Sequence, residues 1–194
     1  RELARTLVRQ ASAMDGYTAK DDITCGAIYI RKPREVLVFT GAPVDKARDK
    51  ELAELARNFD GRKIACGGTT ACILARELGL RVDMNLGDLN PDVPPASRMD
   101  GFDLVTEGAI TLAFLVRLLE QESNPEALRP NAATRLASIL LDSDIITFAV
   151  GTRINDALQD PSLPEELDIR RNIIRRLAHV LEEKFLKEVR IKFM

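Results

Sequence analysis

The chain has 194 residues, 45% hydrophobic and 30% charged, which suits a folded protein with a buried core and excludes low-complexity disorder. The formal net charge of -2 argues against a nucleic-acid-binding protein, because such proteins usually carry a basic face. Three cysteines without a CxxC pair argue against a disulfide framework or a structural zinc site, so we expect a reducing, cytoplasmic location. The most apolar stretch, 109–119, is much shorter than the roughly 20 residues of a membrane-spanning helix, so we expect no membrane contact.

The first elements form a helix and a strand. Apolar residues at helical spacing predict a helix over 1–15, which Gly16 and Tyr17 end. A polar run then leads into the apolar segment ITCGAIYI at 23–30, which predicts a strand ended by Lys32-Pro33.

From Glu35 onward, short apolar strands alternate with helices. Strands are predicted at EVLVFTG, KIACGG, RVDMNL, FDLVTEG, DIITFAVG and VRIKF, and helices at 49–59, TTACILAREL, ITLAFLVRLLEQ, 132–141 and 164–185. A loop rich in Pro and Asp at 87–101 has the length of a lid. The pattern predicts an α/β fold with a mostly parallel sheet and helices on both faces. We therefore expect a helix–strand segment at 1–33 and an α/β, Rossmann-like domain at 34–194.

A pair of aspartates stands between the first helix and the first predicted strand. The residues are Lys20-Asp21-Asp22-Ile23-Thr24. Carboxylates at the start of a strand are hard oxygen ligands of the kind that Mg²⁺ or Mn²⁺ prefers. An Asp-Asp pair in a loop is more often a turn former, so the residues alone leave both interpretations open.

The run LARTLVRQA…DGYTAKDDITCGAIYI resembles the closing segment of type 2C-like metal-dependent protein phosphatases. The similarity is to the bacterial branch named after stage II sporulation protein E, and it covers about the first 33 residues. Its D-[DN]-x-[ST] motif falls on Asp21, Asp22 and Thr24. The resemblance implies that Asp21 is a ligand of Mn or Mg and that the parent enzyme acts on a phosphoserine or phosphothreonine protein. The later segments TGAP, CGGTT and VGTRIND resemble an extension that follows the phosphatase domain in some members.

This chain departs from the family in one important respect. Phosphatases of this type hold two metals with several aspartates spread over the whole catalytic domain, and the metals supply a hydroxide nucleophile. Two Asp-Gly pairs, Asp15-Gly16 and Asp100-Gly101, lack the surroundings of the family's motifs. Since one aspartate cannot hold two metals, we expect the chain alone to have no phosphatase activity.

The strongest pattern in the α/β domain is Cys66-Gly67-Gly68-Thr69-Thr70, which joins a strand directly to a helix. Backbone N–H groups at such a helix start can bind an anion. The plainer interpretation is that glycine allows the turn and threonine caps the helix. The segment lacks the Lys of a Walker loop and the spacing of a dinucleotide fingerprint. Cys66 would be a nucleophile only if its pKa were lowered there, and packing at the strand end is more common.

Three more glycine loops follow predicted strands, namely Thr40-Gly41-Ala42-Pro43, Thr106-Glu107-Gly108 and Gly151-Thr152-Arg153. In a parallel sheet all four loops lie at the carboxyl edge, where α/β proteins bind ligands. Arg153 would pair with a phosphate or carboxylate, and Glu107 would accept from a ribose or an amine, or bind a metal through a phosphate. A salt bridge between Glu107 and Arg153, or a role of either residue as a charge at a helix end, is an equally good interpretation.

These patterns give three hypotheses. The first is a phosphatase tail joined to an α/β domain that binds an anionic ligand and regulates dephosphorylation. The second is that the α/β domain is itself an enzyme acting on a nucleotide or phosphorylated small molecule. The third is an assembly module that forms a homo-oligomer. A Ser-His-Asp hydrolase is not expected, because the only histidine, His179, shares a charged helix face with Arg175, Arg176, Glu182 and Glu183.

Overall fold

The computed structural model describes residues 2–18, 20–84, 93–121, 130–153 and 164–194. The contacts divide the chain into two compact units, Arg1–Lys32 and Pro33–Met194. In the described part of the chain, no helix is both long and apolar enough to cross a membrane.

The first unit contains one helix and an extended segment. Helix α1, Glu2–Met14, has no buried residue. The helix stops just before Gly16 and Tyr17, as predicted, and both of these residues have positive φ angles. The strand predicted at 23–30 is wrong, because that segment forms no strand. A strand needs a hydrogen-bonded partner, and the described residues of this unit contain no second strand. Its apolar side chains consequently lie open, with Ile28 94% and Ile30 90% exposed.

The second unit is built around a seven-stranded sheet of order β3-β4-β5-β2-β1-β6-β7. The strands are β1 Glu35–Thr40, β2 Arg62–Cys66, β3 Val82–Met84, β4 Ser97–Met99, β5 Leu104–Thr106, β6 Ile145–Val150 and β7 Glu188–Phe193. Strands β5, β2, β1, β6 and β7 are parallel to one another, and β4 joins β3 to β5 by antiparallel pairing. The predicted mostly parallel α/β sheet is therefore confirmed. Strand β4 was not predicted and falls within the proposed lid at 87–101, of which residues 87–92 lie outside the described residues.

Helices cover both faces of the sheet, as predicted. They are α2 Asp49–Arg57, α3 Gly68–Leu78, α4 Ala109–Gln121, α5 Ala132–Asp142 and α6 Pro164–Glu183, and a 3-10 turn, Lys46–Arg48, precedes α2. On one face α2 and α3 pack with Leu37 and Phe39 of β1. On the other face α4, α5 and α6 pack with Val36 and Val38 of the same strand. These four side chains of β1 are all buried, which explains the continuous apolar sequence of the strand.

The topology reverses direction at β1. From β1 the chain passes to β2 and then β5 on one side, and afterwards to β6 and β7 on the other side. The five parallel strands thus follow the 3-2-1-4-5 order of doubly wound sheets. The reversal point lies between β1 and β6, and ligands in such folds bind at the carboxyl ends of the strands near this point.

Ion pairs join three strands at the opposite, amino edge of the sheet. Asp144 accepts a hydrogen bond from the backbone N–H of Arg34 at 2.7 Å. Asp142 at the end of α5 pairs with Arg34, and its other oxygen lies 3.1 Å from Nη2 of Arg62. These contacts hold the starts of β1, β2 and β6 together on the side of the sheet away from the glycine loops.

Candidate functional site

The four glycine loops lie at the carboxyl edge, because β1, β2, β5 and β6 are parallel. They form two neighbouring pairs. The loops after β2 and β5 touch each other, and so do the loops after β1 and β6. The edge therefore has two halves, which we call the β2/β5 half and the β1/β6 half.

Glycine is required where the two loops of the β2/β5 half meet. Gly67 has φ +124°, a conformation that other residues rarely adopt. Its backbone N–H donates to the carbonyl of Thr106 at 2.8 Å, which ties the end of β2 to the end of β5. A Cβ on Gly108 would lie 3.4 Å from the Cα of Gly67. The absence of side chains at 67 and 108 thus lets the two backbones approach.

Helix α3 begins at this contact without a side-chain cap. Gly67 occupies the N-cap position, so no threonine caps the helix, and among the described residues no side chain caps its first turn. The first N–H groups of an α-helix have no intrahelical acceptor, which leaves those of Gly68, Thr69 and Thr70 without a helical partner. Gly68 and Thr69 are exposed. Exposed, uncapped amide groups at the positive end of a helix dipole favour an anion.

A second helix start lies beside the first. The carbonyl of Gly108 accepts from the N–H of Leu112 at 3.1 Å, so α4 begins at the same contact. Because α3 and α4 cover opposite faces of the sheet, their positive ends converge on its carboxyl edge. Glu107 is exposed between them, and its Oε1 lies 3.9 Å from the position that a Cβ on Gly68 would take.

The alternative salt bridge between Glu107 and Arg153 does not form. Glu107 follows β5 and Arg153 follows β6, and strands β2 and β1 lie between them. Three strand spacings put the two loops about 14 Å apart, which is too far for a salt bridge between Glu107 and Arg153. The structure instead places Arg153 beside Asp49.

Cys66 is not placed for nucleophilic chemistry. The side chain is completely buried at the end of β2. Burial raises the pKa of the Cys66 thiol to about 11, although a hydrogen bond with Thr106 acts in the opposite direction. A thiol with such a pKa stays protonated near neutral pH, so the structure favours the packing role.

The loops of the β1/β6 half cross at van der Waals distance. Gly41 has φ +82°. A Cβ on Gly151 would lie 2.1 Å from the carbonyl oxygen of Ala42 and 2.4 Å from the carbonyl carbon of Gly41. No residue larger than glycine fits at 151 unless the two loops separate.

Backbone hydrogen bonds use the amide groups of the loop after β6. The N–H of Gly151 donates to Thr40 at 2.8 Å, that of Thr152 to Met194 at 3.0 Å, and that of Arg153 to Ala42 at 3.1 Å. The hydroxyl of Thr152 also donates to the Met194 carbonyl, at 2.7 Å. A ligand at this half would therefore be recognised by side chains rather than by these amides.

Two arginines lie at the crossing. Nη1 of Arg170, from α6, lies 2.8 Å from the position that a Cβ on Gly41 would take, so its side chain covers this glycine. Nη2 of Arg153 lies 3.5 Å from Oδ1 of Asp49. The β1/β6 half thus combines a tight backbone crossing with guanidinium groups, whose geometry suits phosphate and carboxylate.

Asp49, the first residue of α2, was not among the site residues that the sequence indicated. It is only 2% exposed. Its Oδ2 accepts from Nη2 of Arg76 on α3 at 2.6 Å, and hydrogen bonds to Asp49 and Glu77 raise the pKa of Arg76. Asp49 opens a helix whose sequence is rich in charges, so its spacing gives no hint of a special role. Only the packing of α2 on α3 and the reversal of topology bring it to Arg76 and Arg153.

Asp21 belongs to the first unit. It is exposed, and its Oδ1 accepts from the N–H of Asp22 at 2.8 Å. Among the described residues, no group of three or more His, Cys, Asp or Glu side chains is placed to hold a metal ion. Asp21 as a metal ligand stays a prediction.

Comparison with known proteins adds no further constraint. No protein-family model matches the chain, and neither a curated protein nor a solved structure shows significant similarity to it. The chemistry of the carboxyl edge is therefore the main basis for the function proposed below.

Proposed function

We propose that Pro33–Met194 is a ligand-binding domain that takes an anionic small molecule, a phosphate or a nucleotide, at the carboxyl edge of its sheet. One observation carries the proposal: the exposed, uncapped start of α3 at Gly68 and Thr69 adjoins the start of α4 across a contact between Gly67 and Gly108. Amide groups from two helix starts give a fixed positive potential, and Gly67, Gly68 and Gly108 place no side chain of their own over them.

The neighbouring groups suggest which ligands fit. The carboxylate of Glu107 would accept a hydrogen bond from a hydroxyl or amine of the same ligand. In the β1/β6 half, Gly41 follows β1, one strand spacing or about 5 Å from β2, whereas Gly151, Thr152 and Arg153 follow β6, two spacings or about 10 Å from β2. A nucleotide or a phosphosugar is long enough to contact both halves, which favours these ligands over inorganic phosphate alone.

Residues 1–33 resemble the end of a type 2C-like phosphatase domain, which suggests a role for the whole protein. The Asp21 motif supports a parent metal-dependent serine/threonine protein phosphatase that uses Mn or Mg and acts on a phosphoprotein in the cytoplasm. In that protein, ligand binding in the α/β domain would regulate dephosphorylation. The support for this part is the four-residue motif and its flanking helix, and no metal-dependent step is assigned to the present residues.

A second candidate function is an enzyme acting on the bound nucleotide or phosphorylated small molecule. Glu107 favours it, because an exposed carboxylate beside two helix starts is available as an acid or a base. An enzyme would release a product from its ligand and lose this activity in Glu107→Gln. A binding domain would return the ligand unchanged, and Glu107→Gln would alter affinity alone.

Thermal unfolding with candidate ligands tests the proposal. The chain would be screened with phosphate, nucleotides, phosphosugars and Mn²⁺, together with Gly68→Val, whose side chain would stand between Glu107 and the amides of α3. A ligand at 100 times its Kd adds about 2.7 kcal/mol, which raises Tm by several degrees. Gly26→Val is the control, because a Cβ at Gly26 meets no atom within 4 Å. A Tm rise that Gly68→Val abolishes and Gly26→Val retains supports the proposal, and no rise with any anion refutes it.

A further inference from the structure

The pair Asp49–Arg153 is an unusual ion pair. Asp49 is buried, yet its Oδ1 and Nη2 of Arg153 are 3.5 Å apart, too far for a good hydrogen bond. Within the described part of the chain, neither atom has any hydrogen-bond partner. Buried polar atoms are nearly always hydrogen-bonded, so an unsatisfied donor and an unsatisfied acceptor facing each other call for an explanation.

The two partners of Asp49 are held very differently. Oδ2 makes a short charge-assisted hydrogen bond to Arg76, so the carboxylate remains paired whatever Arg153 does. The backbone of Arg153 is fixed to Ala42 by its own N–H, so only the side chain of Arg153 is able to change partner. If the Arg153 side chain moves away from Asp49, the carboxylate therefore stays paired with Arg76 and the loop that carries Arg153 stays in place.

The location of this pair also points to a ligand. Arg153 follows β6 and Asp49 follows the loop after β1, so the pair lies at the reversal point of the sheet, where doubly wound proteins bind ligands. The amides of Gly151, Thr152 and Arg153 are already hydrogen-bonded, so the guanidinium of Arg153 is the donor that this loop offers to a ligand. An oxyanion that meets Arg153 at normal hydrogen-bond distance would satisfy the donor that Asp49 leaves unsatisfied.

We propose that Asp49 is a built-in competitor for Arg153, and that an anionic ligand group, such as a phosphate or carboxylate, displaces it at the β1/β6 half. This inference rests on the proposed function, since it assumes that the carboxyl edge binds an anion. Asp49 then sets the affinity of the edge, because the ligand binds only the fraction of molecules in which Arg153 is free of it. Since Asp49 is the first residue of α2, binding also releases the start of this helix from the β6 loop.

Site-specific titration of the whole chain tests the inference. Inorganic phosphate would be titrated into ¹⁵N-labelled protein, following the Nε–H resonance of Arg153, assigned with Arg153→Lys, and the amides of Gly68 and Thr69. Asp49→Asn should lower the apparent Kd at Arg153 by about tenfold, as expected if Asp49 occupies the arginine roughly nine-tenths of the time. Glu51→Gln is the matched control, because it removes the same charge from the same helix turn, where Glu51 pairs with Arg48.

The outcomes separate this inference from the proposed function. An equal gain in Asp49→Asn and Glu51→Gln would indicate a general electrostatic effect and overturn the inference. A response at Gly68 and Thr69 but none at Arg153 in any variant would overturn it while leaving the proposed function intact. No response at any of these groups, either to phosphate or to a nucleoside diphosphate titrated in the same way, would refute both.

A second variant covers the case in which Asp49→Asn does not fold. Arg76→Gln removes the other partner of Asp49, which should then bind Arg153 more closely and raise the apparent Kd for phosphate there. Arg57→Gln, at the far end of α2 about 12 Å along the helix, removes the same charge and should leave the Kd unchanged. Equal effects of the two substitutions, or none from Arg76→Gln, would count against the competitor.

Discussion

The crossing of the loops after β1 and β6 allows a sharp test of the structure. Replacing Gly151 with alanine adds a Cβ that would lie 2.1 Å from the carbonyl oxygen of Ala42, 2.3 Å from its carbonyl carbon and 2.4 Å from that of Gly41. All three are backbone atoms, so no side chain is able to turn away. The two loops would have to separate, and the hydrogen bonds of Gly151 and Arg153 to the β1 loop would weaken.

The expected cost follows from this geometry. Overpacking a well-packed interior typically costs 1–3 kcal/mol, and backbone on the opposing side places Gly151→Ala at the upper end, about 3 kcal/mol. For a domain of this size, roughly 2–4 °C of Tm is lost per kcal/mol, so Tm should fall by about 6–12 °C. Urea unfolding should show the same loss as a lower midpoint with an unchanged m-value.

The control is Gly68→Ala in the other half of the edge. There the nearest atom to the added Cβ is Oε1 of Glu107 at 3.9 Å, an ordinary contact with a flexible side chain. At the start of α3, alanine should be neutral or stabilising by up to about 1 kcal/mol, since it reduces the entropy of the unfolded chain. If Gly151→Ala melts within about 1 °C of the unsubstituted protein, the loops do not cross as described.

Three further predictions concern stability. Burial raises the pKa of Cys66 to about 11 from 9.0. The protonated thiol therefore contributes roughly 3 kcal/mol to the free energy of unfolding, a contribution that is complete below about pH 9 and is lost as pH rises through about 11. The free energy of unfolding in urea should therefore fall less between about pH 8 and about pH 10.5 for Cys66→Ala than for the unsubstituted protein. An equal fall in the two proteins would contradict the burial of Cys66. Asp142→Asn should cost less than about 1 kcal/mol in urea unfolding, since its pairs with Arg34 and Arg62 are well exposed and screened by solvent, and a loss above 2 kcal/mol would show that they are not. A chain that begins at Pro33 should keep the Tm of the longer chain, because among the residues that the structure describes no buried core residue precedes Val36, whereas a lower Tm would mean that residues before Pro33 stabilise the domain.

The central sheet could be predicted because its strands are buried on both faces. Strand β1 alternates Val36 and Val38 toward one helix layer with Leu37 and Phe39 toward the other, so its sequence is apolar throughout. Parallel strands joined by helices then require the four glycine loops to lie at one edge. The position of these loops follows from local sequence and topology alone.

Elements that depend on a distant partner could not be predicted. Residues 23–30 have the composition of a buried strand, but the described residues of their unit offer nothing to pair with. Strand β4 has the unremarkable sequence SRM and exists through pairing with Val82–Met84 and with Val105. In both cases hydrogen bonding to another segment decides the structure.

The candidate site shows the same limit. The sequence identified the glycines, but it did not identify Asp49, and it offered a pairing of Glu107 with Arg153. Charges on two loops meet only if few strands separate them, and the sequence of a single loop does not determine the strand order. The buried Asp49 became visible only once α2 was packed against α3.

The amide spectrum of ¹⁵N-labelled protein, recorded during titration with a nucleoside diphosphate, tests the central claim most directly. The ligand-binding account predicts saturable shifts of the Gly68 and Thr69 amides, and Gly68→Val should remove those of Thr69. Shifts confined to residues far from the carboxyl ends of β1, β2, β5 and β6, or an unchanged spectrum with phosphate, nucleotides and phosphosugars alike, would contradict it.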